Sequence, residues 1–513
     1  MLERALISVF DKTGLDTFVP GLVDMGVEIV ASGGTAAYIR ELGLSVTHVD
    51  ELTDVPELLG GRVKTLHPRI HAAILARRDL ADDLATLDEN AIRPFDLVCV
   101  NLYPFQQVAA RKDVREEEAV EMIDIGGPAM LRAAAKNFLH VAPVCSAARY
   151  DSVLGELQDR GEIPLATRRE LAAEAFAHTG AYEASIAAWF ADRETFPARL
   201  LLSFEKVCDL PYGENPHQRA AYYAEAGARR HLLSRVDRLA GPEPSFNNLN
   251  DLDAARAVLR EFTVPACVIV KHANPCGCAL ASGIEQAYAK ALAADPTSAY
   301  GGVVALNRRV ERPLAERVAD QFVEVMIAPT YSDDALEVLR ERPTLRVLED
   351  RERRGGTRGE RDYRRVLGGV LVQDADADIE DREGMKVVTT RHPEEATWGD
   401  LLFAWRVAKH VASNAVVIAK DLQTLGIGAG QMSRVDAVRL AAEKAGGLGH
   451  DVGGAALASD AFFPFADGPQ LALDAGVRAL IQPGGSKRDG EVVAAVEEAG
   501  AAMVFTSRRH FRH

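Results

Sequence analysis

The sequence predicts an α/β protein of two domains, and three observations support this prediction. The chain has 513 residues, more than one ordinary domain holds. Short apolar stretches alternate with helical stretches, the rhythm of strand–helix–strand units on a mostly parallel sheet. A helical stretch at 167–192 is broken by Phe196-Pro197-Ala198-Arg199, so we expect domains of 1–199 and 200–513, the second in two lobes.

Composition restricts the kind of protein. Hydrophobic residues make up 48% of the chain and charged residues 26%, a balance typical of globular proteins. The net charge of −16 argues against nonspecific binding to nucleic acid or anionic membranes. The sequence has neither a membrane-spanning apolar run nor a signal peptide, and six cysteines are too few for a disulfide framework. We therefore expect a cytoplasmic protein with reduced thiols.

The first domain has predicted strands at 5–10, 27–31, 46–49 and 97–101, with helices at 15–25 and 36–42. Parallel sheets bind ligands beyond the carboxyl ends of their strands. The candidate loops are therefore 11–14, 32–35 and 101–105.

Several polar motifs in this domain favour a phosphorylated ligand. Ser32-Gly33-Gly34-Thr35 suits a phosphate at a helix N-terminus, or is an ordinary glycine turn with a threonine cap. Arg62 and Lys64 alternate, so an extended segment presents both cations on one side; a plain basic loop is the alternative. Asn101 and Tyr103 end a strand, and Asp124 precedes a helix that carries Lys136 at its far end.

The second domain has predicted strands at 267–270, 303–306, 366–372, 415–419 and 503–506. Lys271-His272 follows the first of these, and its two groups have pKa values that surroundings can tune toward neutrality. We expect Asn274-Pro275-Cys276-Gly277 to be a tight turn that fixes them. A structural histidine is the competing interpretation.

Two similar motifs can be weighed against this run. Zinc deaminases carry H-x-E and then P-C-x-x-C, whereas here Asn274 stands at the Glu position and the cysteines are spaced C-x-C. A dinucleotide loop needs glycine where Gln431 ends Gly426-Ile427-Gly428-Ala429-Gly430-Gln431. We therefore expect neither a catalytic metal nor NAD.

Further polar positions lie toward the C-terminus. Asn414 precedes an apolar strand, and the run 459–467 combines aromatic residues with acids, which suits either a flat ring ligand or a core. Pro483-Gly484-Gly485-Ser486 is a possible anion turn. The final residues, 508–513, would by default be a frayed basic tail.

Together these segments resemble the bifunctional purine-biosynthesis family that joins an IMP cyclohydrolase to an AICAR transformylase. The resemblance covers essentially the whole chain. Its motifs are Ser-Val-x-Asp-Lys-Thr-Gly (8–14), Ser-Gly-Gly-Thr (32–35), Gly-Arg-Val-Lys-Thr-Leu-His-Pro (61–68), Asn-Leu-Tyr-Pro-Phe (101–105), Ile-Asp-Ile-Gly-Gly (123–127), Tyr-Gly-Glu-Asn-Pro-His-Gln (212–218), Lys-His-x-Asn-Pro-Cys-Gly (271–277) and Ser-Asp-Ala-Phe-Phe-Pro-Phe (459–465).

The resemblance implies a methylglyoxal-synthase-like N-terminal domain with a doubly wound parallel sheet, and a C-terminal domain of two cytidine-deaminase-like lobes. The second domain would transfer a formyl group from the co-substrate 10-formyltetrahydrofolate to AICAR, giving FAICAR. The first would close FAICAR to IMP with loss of water. The resemblance also implies a homodimer with transformylase sites at the subunit interface.

Residue roles follow from the same resemblance. Binding of the cyclisation nucleotide is implied for Lys12, Ser32, Gly34, Thr35, Arg62, Thr65 and Asn101, and catalysis of its closure for Lys64, Tyr103, Asp124 and Lys136. In formyl transfer, His272 is the implied base, Lys271 stabilises the oxyanion or protonates the leaving group, and Asn414 orients the formyl group. AICAR contacts are implied for Tyr212, Asn248, Arg509 and His513, and folate contacts for Arg434, Phe462, Pro464, Asp467 and Ser486.

Two positions depart from the family pattern: Pro211 stands where many members have Arg, and Phe10 where many have Ser. Two rival hypotheses remain. The first domain could be a nucleotide-binding regulatory module, which would bind FAICAR without yielding IMP. A zinc-dependent deaminase would instead carry stoichiometric zinc.

Overall fold

The computed structural model describes residues 2–111, 113–191, 195–226, 233, 236–351, 360–377 and 382–513. The chain divides into two compact units, Met1–Glu205 with Glu225–Gly227 and Lys206–Ala224 with Ala228–His513. Within the described ranges, no helix is both long and apolar enough to cross a membrane.

The first unit is built on a five-stranded parallel sheet with the order β3-β2-β1-β4-β5. Its strands are β1 (Arg4–Ser8), β2 (Glu28–Ala31), β3 (Thr47–His48), β4 (Leu97–Val100) and β5 (Ala142–Val144). Its helices are α1 (Leu15–Asp24), α2 (Gly33–Glu41), α3 (Val49–Thr53), α4 (Pro68–Leu75), α5 (Ala81–Glu89), α6 (Phe105–Ala109), α7 (Glu116–Val120), α8 (Gly126–Lys136), α9 (Tyr150–Arg160) and α10 (Leu165–Phe190).

Both faces of this sheet are buried. Along β1, Ala5 and Ile7 point to a core shared with α1, α2 and α9, whereas Leu6 points to a core shared with α4, α8 and α10. This is the doubly wound arrangement that the sequence predicts. Because parallel strands end at one edge, the loops after β1, β2 and β4 lie together.

The second unit contains a twelve-stranded mixed sheet with the order β16-β21-β20-β19-β17-β18-β10-β9-β11-β12-β13-β8. Its strands are β8 (Asp237–Ala240), β9 (Ala266–Lys271), β10 (Asn274–Leu280), β11 (Gly302–Leu306), β12 (Val323–Ala328), β13 (Arg346–Glu349), β16 (Lys386–Val387), β17 (Val416–Lys420), β18 (Gln423–Gly428), β19 (Ala456–Ser459), β20 (Ala479–Gln482) and β21 (Ala502–Phe505). Its helices are α11 (Phe246–Leu259), α12 (Ile284–Ala294), α13 (Pro296–Ala299), α14 (Arg312–Ala319), α15 (Asp333–Arg340), α16 (Glu395–Ala408), α17 (Arg434–Gly447), α18 (Asp467–Asp474) and α19 (Asp489–Glu498). Two separate hairpins pair β6 (Phe204–Leu210) with β7 (Ala220–Glu225), and β14 (Arg361–Val366) with β15 (Gly369–Asp374).

The large sheet consists of two lobes that meet where β10 pairs antiparallel with β18. One core, between α11, α16 and the sheet, is shared by both lobes. On the other face each lobe has its own core, one under α12, α14 and α15 and one under α17, α18 and α19. The predicted two-lobed α/β arrangement is therefore present.

The lobes repeat one structural device. In the first, Asp251 of α11 accepts backbone hydrogen bonds from His272 and Ala273, 21 and 22 residues later. In the second, Asp400 of α16 accepts from Asp421 and Leu422 at the same spacings. The four residues that donate these hydrogen bonds form the two-residue turns that join β9 to β10 and β17 to β18. All four have positive φ, between 53° and 58°.

Two sequence predictions are wrong in detail. The turn that fixes Lys271 and His272 is His272-Ala273 itself, while the run 274–277 belongs to strand β10. The predicted strand at 366–372 is a hairpin that reverses at Leu367-Gly368, where Gly368 has φ of 79°. In both cases a positive-φ turn joins two antiparallel strands at a point that periodicity alone cannot locate.

Candidate functional site

A cavity of about 600 Å³ lies beyond the carboxyl ends of β1, β2 and β4. It has the size of a small-molecule site. The sequence-predicted residues that line it are Lys12, Ser32, Gly34, Thr35, Arg62, Lys64, Thr65, Asn101, Tyr103 and Asp124.

The glycine loop after β2 lies directly against a cation. Gly33 has φ of 46°, and a Cβ there would lie 3.3 Å from the Nζ of Lys64. The backbone N–H of Gly33 donates to Nε2 of His48, 3.2 Å away, and the hydroxyls of Ser8 and Ser32 are 3.1 Å apart. His48 and Ser8 were not among the predicted site residues. His48 ends β3, the neighbour of β2, and that position was the available signal.

Two predicted ligand contacts instead hold the loop after β1. The hydroxyl of Thr35 accepts from the Val9 N–H at 3.1 Å and donates to the Val9 carbonyl at 3.0 Å. Asn101 accepts from the N–H groups of Phe10 and Asp11 and donates to the Asp11 carbonyl. These side chains therefore shape the cavity wall through the backbone.

The cations of the cavity have carboxylate partners that sequence reasoning missed. Arg62 forms an ion pair with Glu121, and Lys64 lies 3.8 Å from Glu57. Both acids line the cavity, but in the sequence each looks like part of a solvated acidic stretch. Burial lowers the pKa of Lys12, and the charge of Lys64 lowers it further although Asp11 opposes this. An anionic ligand can replace the two carboxylates as the partner of these cations.

Asp124 is a partly buried carboxylate of this cavity. Burial raises its pKa, against the opposing effects of hydrogen bonds from the Gly127 and Tyr103 backbones and of the Lys64 charge. The Gly127 N–H donates to it at 2.7 Å. A carboxylate with a raised pKa accepts a proton more readily near neutral pH, as a general base must.

Lys136 does not line this cavity. It ends α8, whose 11 residues extend about 15 Å from the cavity at 1.5 Å per residue. The residue lines a different cavity between α4, α8 and α10. Because the run between Asp124 and Lys136 is helical, their positions in the sequence already imply that the two side chains lie far apart.

In the second unit, Lys271 and His272 border a cavity of about 300 Å³ that both lobes line. The ammonium of Lys271 donates to the Tyr300 carbonyl, and His272 is exposed. An ion pair of 3.3 Å between Asp295 and Lys444 crosses the cavity from α13 to α17. His272 has positive φ and lies in the two-residue turn between β9 and β10.

A buried network surrounds Asn414. Arg434 donates to the Asn414 side chain at 2.7 Å and to the Ser459 hydroxyl at 2.8 Å, and it forms an ion pair with Asp460, which is 0% exposed. The Asn414 amide donates to two backbone carbonyls, those of Gln431 and Met432. Arg434 is therefore placed to orient Asn414, and as a buried, paired group it is poorly placed for the predicted folate contact.

The C-terminal segment is held in place and is not a frayed tail. His510 is 3% exposed; its ring hydrogen-bonds Asp376, and its N–H donates to the Asp460 carbonyl at 2.9 Å. Arg512 donates to the His410 carbonyl at 2.8 Å. Arg509 and His513 remain exposed on either side of Phe511.

The remaining candidates are dispersed. Phe462, Pro464 and Tyr212 are exposed, and Asp467 begins α18, whereas Phe463 is core. The predicted anion turn at Ser486 already binds a carboxylate, because Asp489 accepts the N–H groups of Gly485 and Ser486. Asn248 is 4% exposed and closes the capping box of α11 while donating to Glu324, so it has no free face for AICAR.

Gly426, Ile427 and Gly428 of the glycine run considered for NAD belong to strand β18, and Ala429-Gly430-Gln431 follow in the loop before α17. A Cβ on Gly426 would lie 2.0 Å from the Ala441 carbonyl oxygen, and one on Gly428 2.0 Å from that of Ala437. These glycines therefore allow α17 to pack closely on the sheet.

The fold and sites define a two-part α/β enzyme with a cation-lined cavity in one unit and a Lys–His turn in the other. A model of the AICARFT/IMPCHase bienzyme family matches residues 134–444, and a model of the MGS-like domain matches residues 14–129. The chain belongs to the AICARFT/IMPCHase bienzyme family. It is a bifunctional enzyme with the formyltransferase and IMP cyclohydrolase activities of the last two steps of IMP biosynthesis, and the family uses 10-formyltetrahydrofolate as co-substrate. A solved structure described as the crystal structure of ForH is 39% identical over 37% of this chain and all of that one, with a TM-score of 0.33.

Proposed function

We propose that the two reactions use separate sites, ring closure in the first-unit cavity and formyl transfer at the Lys271-His272 turn. The observation that supports this division is the convergence of ten sequence-predicted residues on one cavity, none of which comes from the second unit. The substrates are the small molecules AICAR, FAICAR and the folate, with IMP as product.

Ring closure joins the carboxamide nitrogen of FAICAR to its own formyl carbon. The protein must therefore hold the two groups together and move protons. Lys12, Arg62 and Lys64 hold the phosphate beside the glycine loop. Asp124 takes the proton of the attacking nitrogen, and Tyr103 with Lys64 stabilises the oxyanion. That proton then passes to the oxyanion, and the resulting hydroxyl leaves as water with the proton of the formamide nitrogen.

Formyl transfer needs a base because the AICAR amine is a weak nucleophile whose lone pair is delocalised into the ring. His272 takes the amine proton. Lys271 stabilises the tetrahedral oxyanion or protonates the leaving folate nitrogen. Asn414, oriented by Arg434, holds the formyl group.

We further propose a cytoplasmic homodimer. The formyl-transfer candidates in one chain do not share a cavity: Lys271 and His272 border one, while Phe462, Asp467 and Arg509 lie outside its lining. A second copy that brings these groups together would complete the site. Symmetric pairing is the commonest form of assembly for such enzymes.

The test is to incubate the whole chain with AICAR and 10-formyltetrahydrofolate and to follow IMP. We expect IMP to accumulate, with FAICAR as an intermediate. A chain that forms FAICAR but no IMP would contradict the proposal for the first unit. One that closes added FAICAR but never consumes AICAR would contradict the proposal for the second.

A further inference from the structure

The first unit contains a second cavity, of about 680 Å³, on the side of α4 and α8 away from the nucleotide cavity. It lies between α4, α8 and α10, and of the residues that the family resemblance assigns to the two reactions only Lys136 is among its described lining residues. The cationic and aromatic residues that line it are His71, Arg132, Lys136, Phe138, Arg169 and Phe176.

The charges of this second cavity are all of one sign. No aspartate or glutamate is among the described residues that line it. Across the described part of the chain, Arg132, Lys136 and Arg169 form no ion pair, unlike Arg62 and Lys64 in the nucleotide cavity. All three side chains are exposed, and their mutual repulsion around one hollow favours an anion there.

Two of these cations are held by aromatic rings. The guanidinium of Arg132 lies 5.6 Å from the Phe176 ring centre, and that of Arg169 lies 5.0 Å from the Phe138 ring centre. Such stacking restrains the guanidinium plane and leaves its N–H edge free for a bidentate contact with an oxyanion. Phe176 is 42% exposed, so its ring offers apolar surface to a ligand as well.

A third observation indicates a missing polar partner. The Nε2 atom of His71 is buried and has no hydrogen-bond partner among the described residues. Burial also lowers the pKa of His71 and so favours the neutral ring, whose nitrogen can donate or accept one hydrogen bond. Buried polar atoms without partners are rare in folded proteins unless a ligand or water completes them.

We propose that the second cavity is a regulatory site for a nucleoside monophosphate. Its phosphate lies among Arg132, Lys136 and Arg169, and its flat base lies against Phe176 with a hydrogen bond from or to His71. The cavity volume is within the range of small-ligand sites.

One helix that borders this site, α8, also borders the nucleotide cavity. Gly126 and Gly127 at the start of α8 line the nucleotide cavity, while Arg132 and Lys136 further along line the second. Likewise α4, which carries His71, begins three residues after Thr65. A ligand that moves α4 or α8 therefore changes the loops of the closure site, and effects of about 5- to 150-fold on affinity are typical of such coupling.

The experiment titrates AMP into the full-length enzyme by calorimetry, with ribose 5-phosphate as the probe without a base. We expect two classes of AMP site in the unsubstituted protein. R132A/R169A should lose one class, and K12A/K64A should retain that class with unchanged affinity. Arg160→Ala, an exposed arginine of α9, is the matched control and should retain both. AMP should bind the second site at least about tenfold more tightly than ribose 5-phosphate, given the base contact.

A single AMP site that disappears in K12A/K64A would overturn the proposal. So would an R132A/R169A protein with unchanged AMP binding and a smaller sedimentation coefficient, because the face would then be an interface with a second copy. Regulation is measured separately. AMP should change the rate of FAICAR closure, and R132A/R169A should abolish this change. The rate of FAICAR closure without AMP tests the proposed function. This rate does not depend on whether AMP binds in the second cavity.

Discussion

At the scale of single residues, Asp124 combines burial with an adjacent cation. Burial raises its pKa and Lys64 partly offsets the rise. If Asp124 is the base of ring closure, it must be ionised to act, so the closure rate should fall as pH drops through its pKa. The raised pKa places this fall above the ordinary value for Asp, about 3.9.

The measurement is the pH dependence of kcat/KM for FAICAR closure. Asp124→Asn should lower the rate at pH 7 by about 10²- to 10⁴-fold and remove the acidic limb. In Lys64→Ala the limb should move to higher pH, because a charge that favours the carboxylate is lost. An acidic limb that persists in Asp124→Asn would assign the titration to another group.

His272 tests the separation of the two sites. His272→Ala should lower formyl transfer by at least about 10²-fold, since it removes a general base, while FAICAR closure stays within twofold. Lys64→Ala should do the reverse. Product assays with AICAR and with FAICAR as separate substrates measure both. Formyl transfer at the normal rate in His272→Ala would remove this residue from the mechanism.

At the scale of elements, the turns held by Asp251 and Asp400 allow a matched comparison of two variants. Asp251→Asn and Asp400→Asn each weaken charge-assisted hydrogen bonds to two positive-φ residues, and each should lower the free energy of unfolding by about 1–3 kcal/mol. Only Asp251 holds the turn that carries His272. Formyl transfer should therefore fall in Asp251→Asn, with kcat affected more than KM, and change little in Asp400→Asn.

Urea unfolding and steady-state kinetics at 25 °C check these two variants. Equal losses of kcat in both would mean that the lobes respond as one body and that Asp251 has no particular role in positioning His272.

The packing of α17 on β18 gives a second prediction at this scale. Gly426→Ala places a methyl group 2.0 Å from a backbone carbonyl oxygen, so the helix must move. We expect a loss of more than about 2 kcal/mol in unfolding free energy. Gly446→Ala in α17 has no atom within 4 Å of its added Cβ and should gain about 0.5–1 kcal/mol. Denaturant midpoints of the two variants should therefore shift in opposite directions.

At the scale of the whole molecule, the proposed dimer predicts complementation. If one subunit supplies His272 and the other supplies Arg509, mixing His272→Ala with Arg509→Ala subunits restores one intact site in each mixed dimer. After dissociation and reassembly at equal amounts, formyl transfer should recover to about one quarter of normal. Recovery should fail when either inactive variant is reassembled alone, and an inactive mixture would place both residues in one subunit.

The sequence predicted the parts of the molecule that local pattern controls. Parallel-strand rhythm located the cavity, because the loops after β1, β2 and β4 must meet at one edge. It could not locate Glu57 and Glu121, because whether a carboxylate lies opposite a cation depends on the path of the two loops that carry them. The His272-Ala273 turn was missed for a similar reason: neither residue favours positive φ, and the acceptor that stabilises it is 21 residues away.

The fixed C-terminal segment was missed in the same way. A run of Arg and His reads as a solvated tail, and only the tertiary contacts of His510 with Asp376 and Asp460 hold it. Helix geometry and capping, which a motif does not specify, also place Asn248 and Ser486 in capping contacts and Lys136 outside the nucleotide cavity.

The junction of β10 with β18 has a consequence for how the two lobes can exist apart. β10 and β18 pair with each other at the centre of the large sheet, so each strand covers one edge of the other. Cutting the chain between the lobes would leave two central, apolar strands with unpaired N–H and C=O groups, and such edges recruit other chains. Lobes that are produced separately should therefore precipitate or reassociate. Each lobe needs the other to fold stably and is not an independent module.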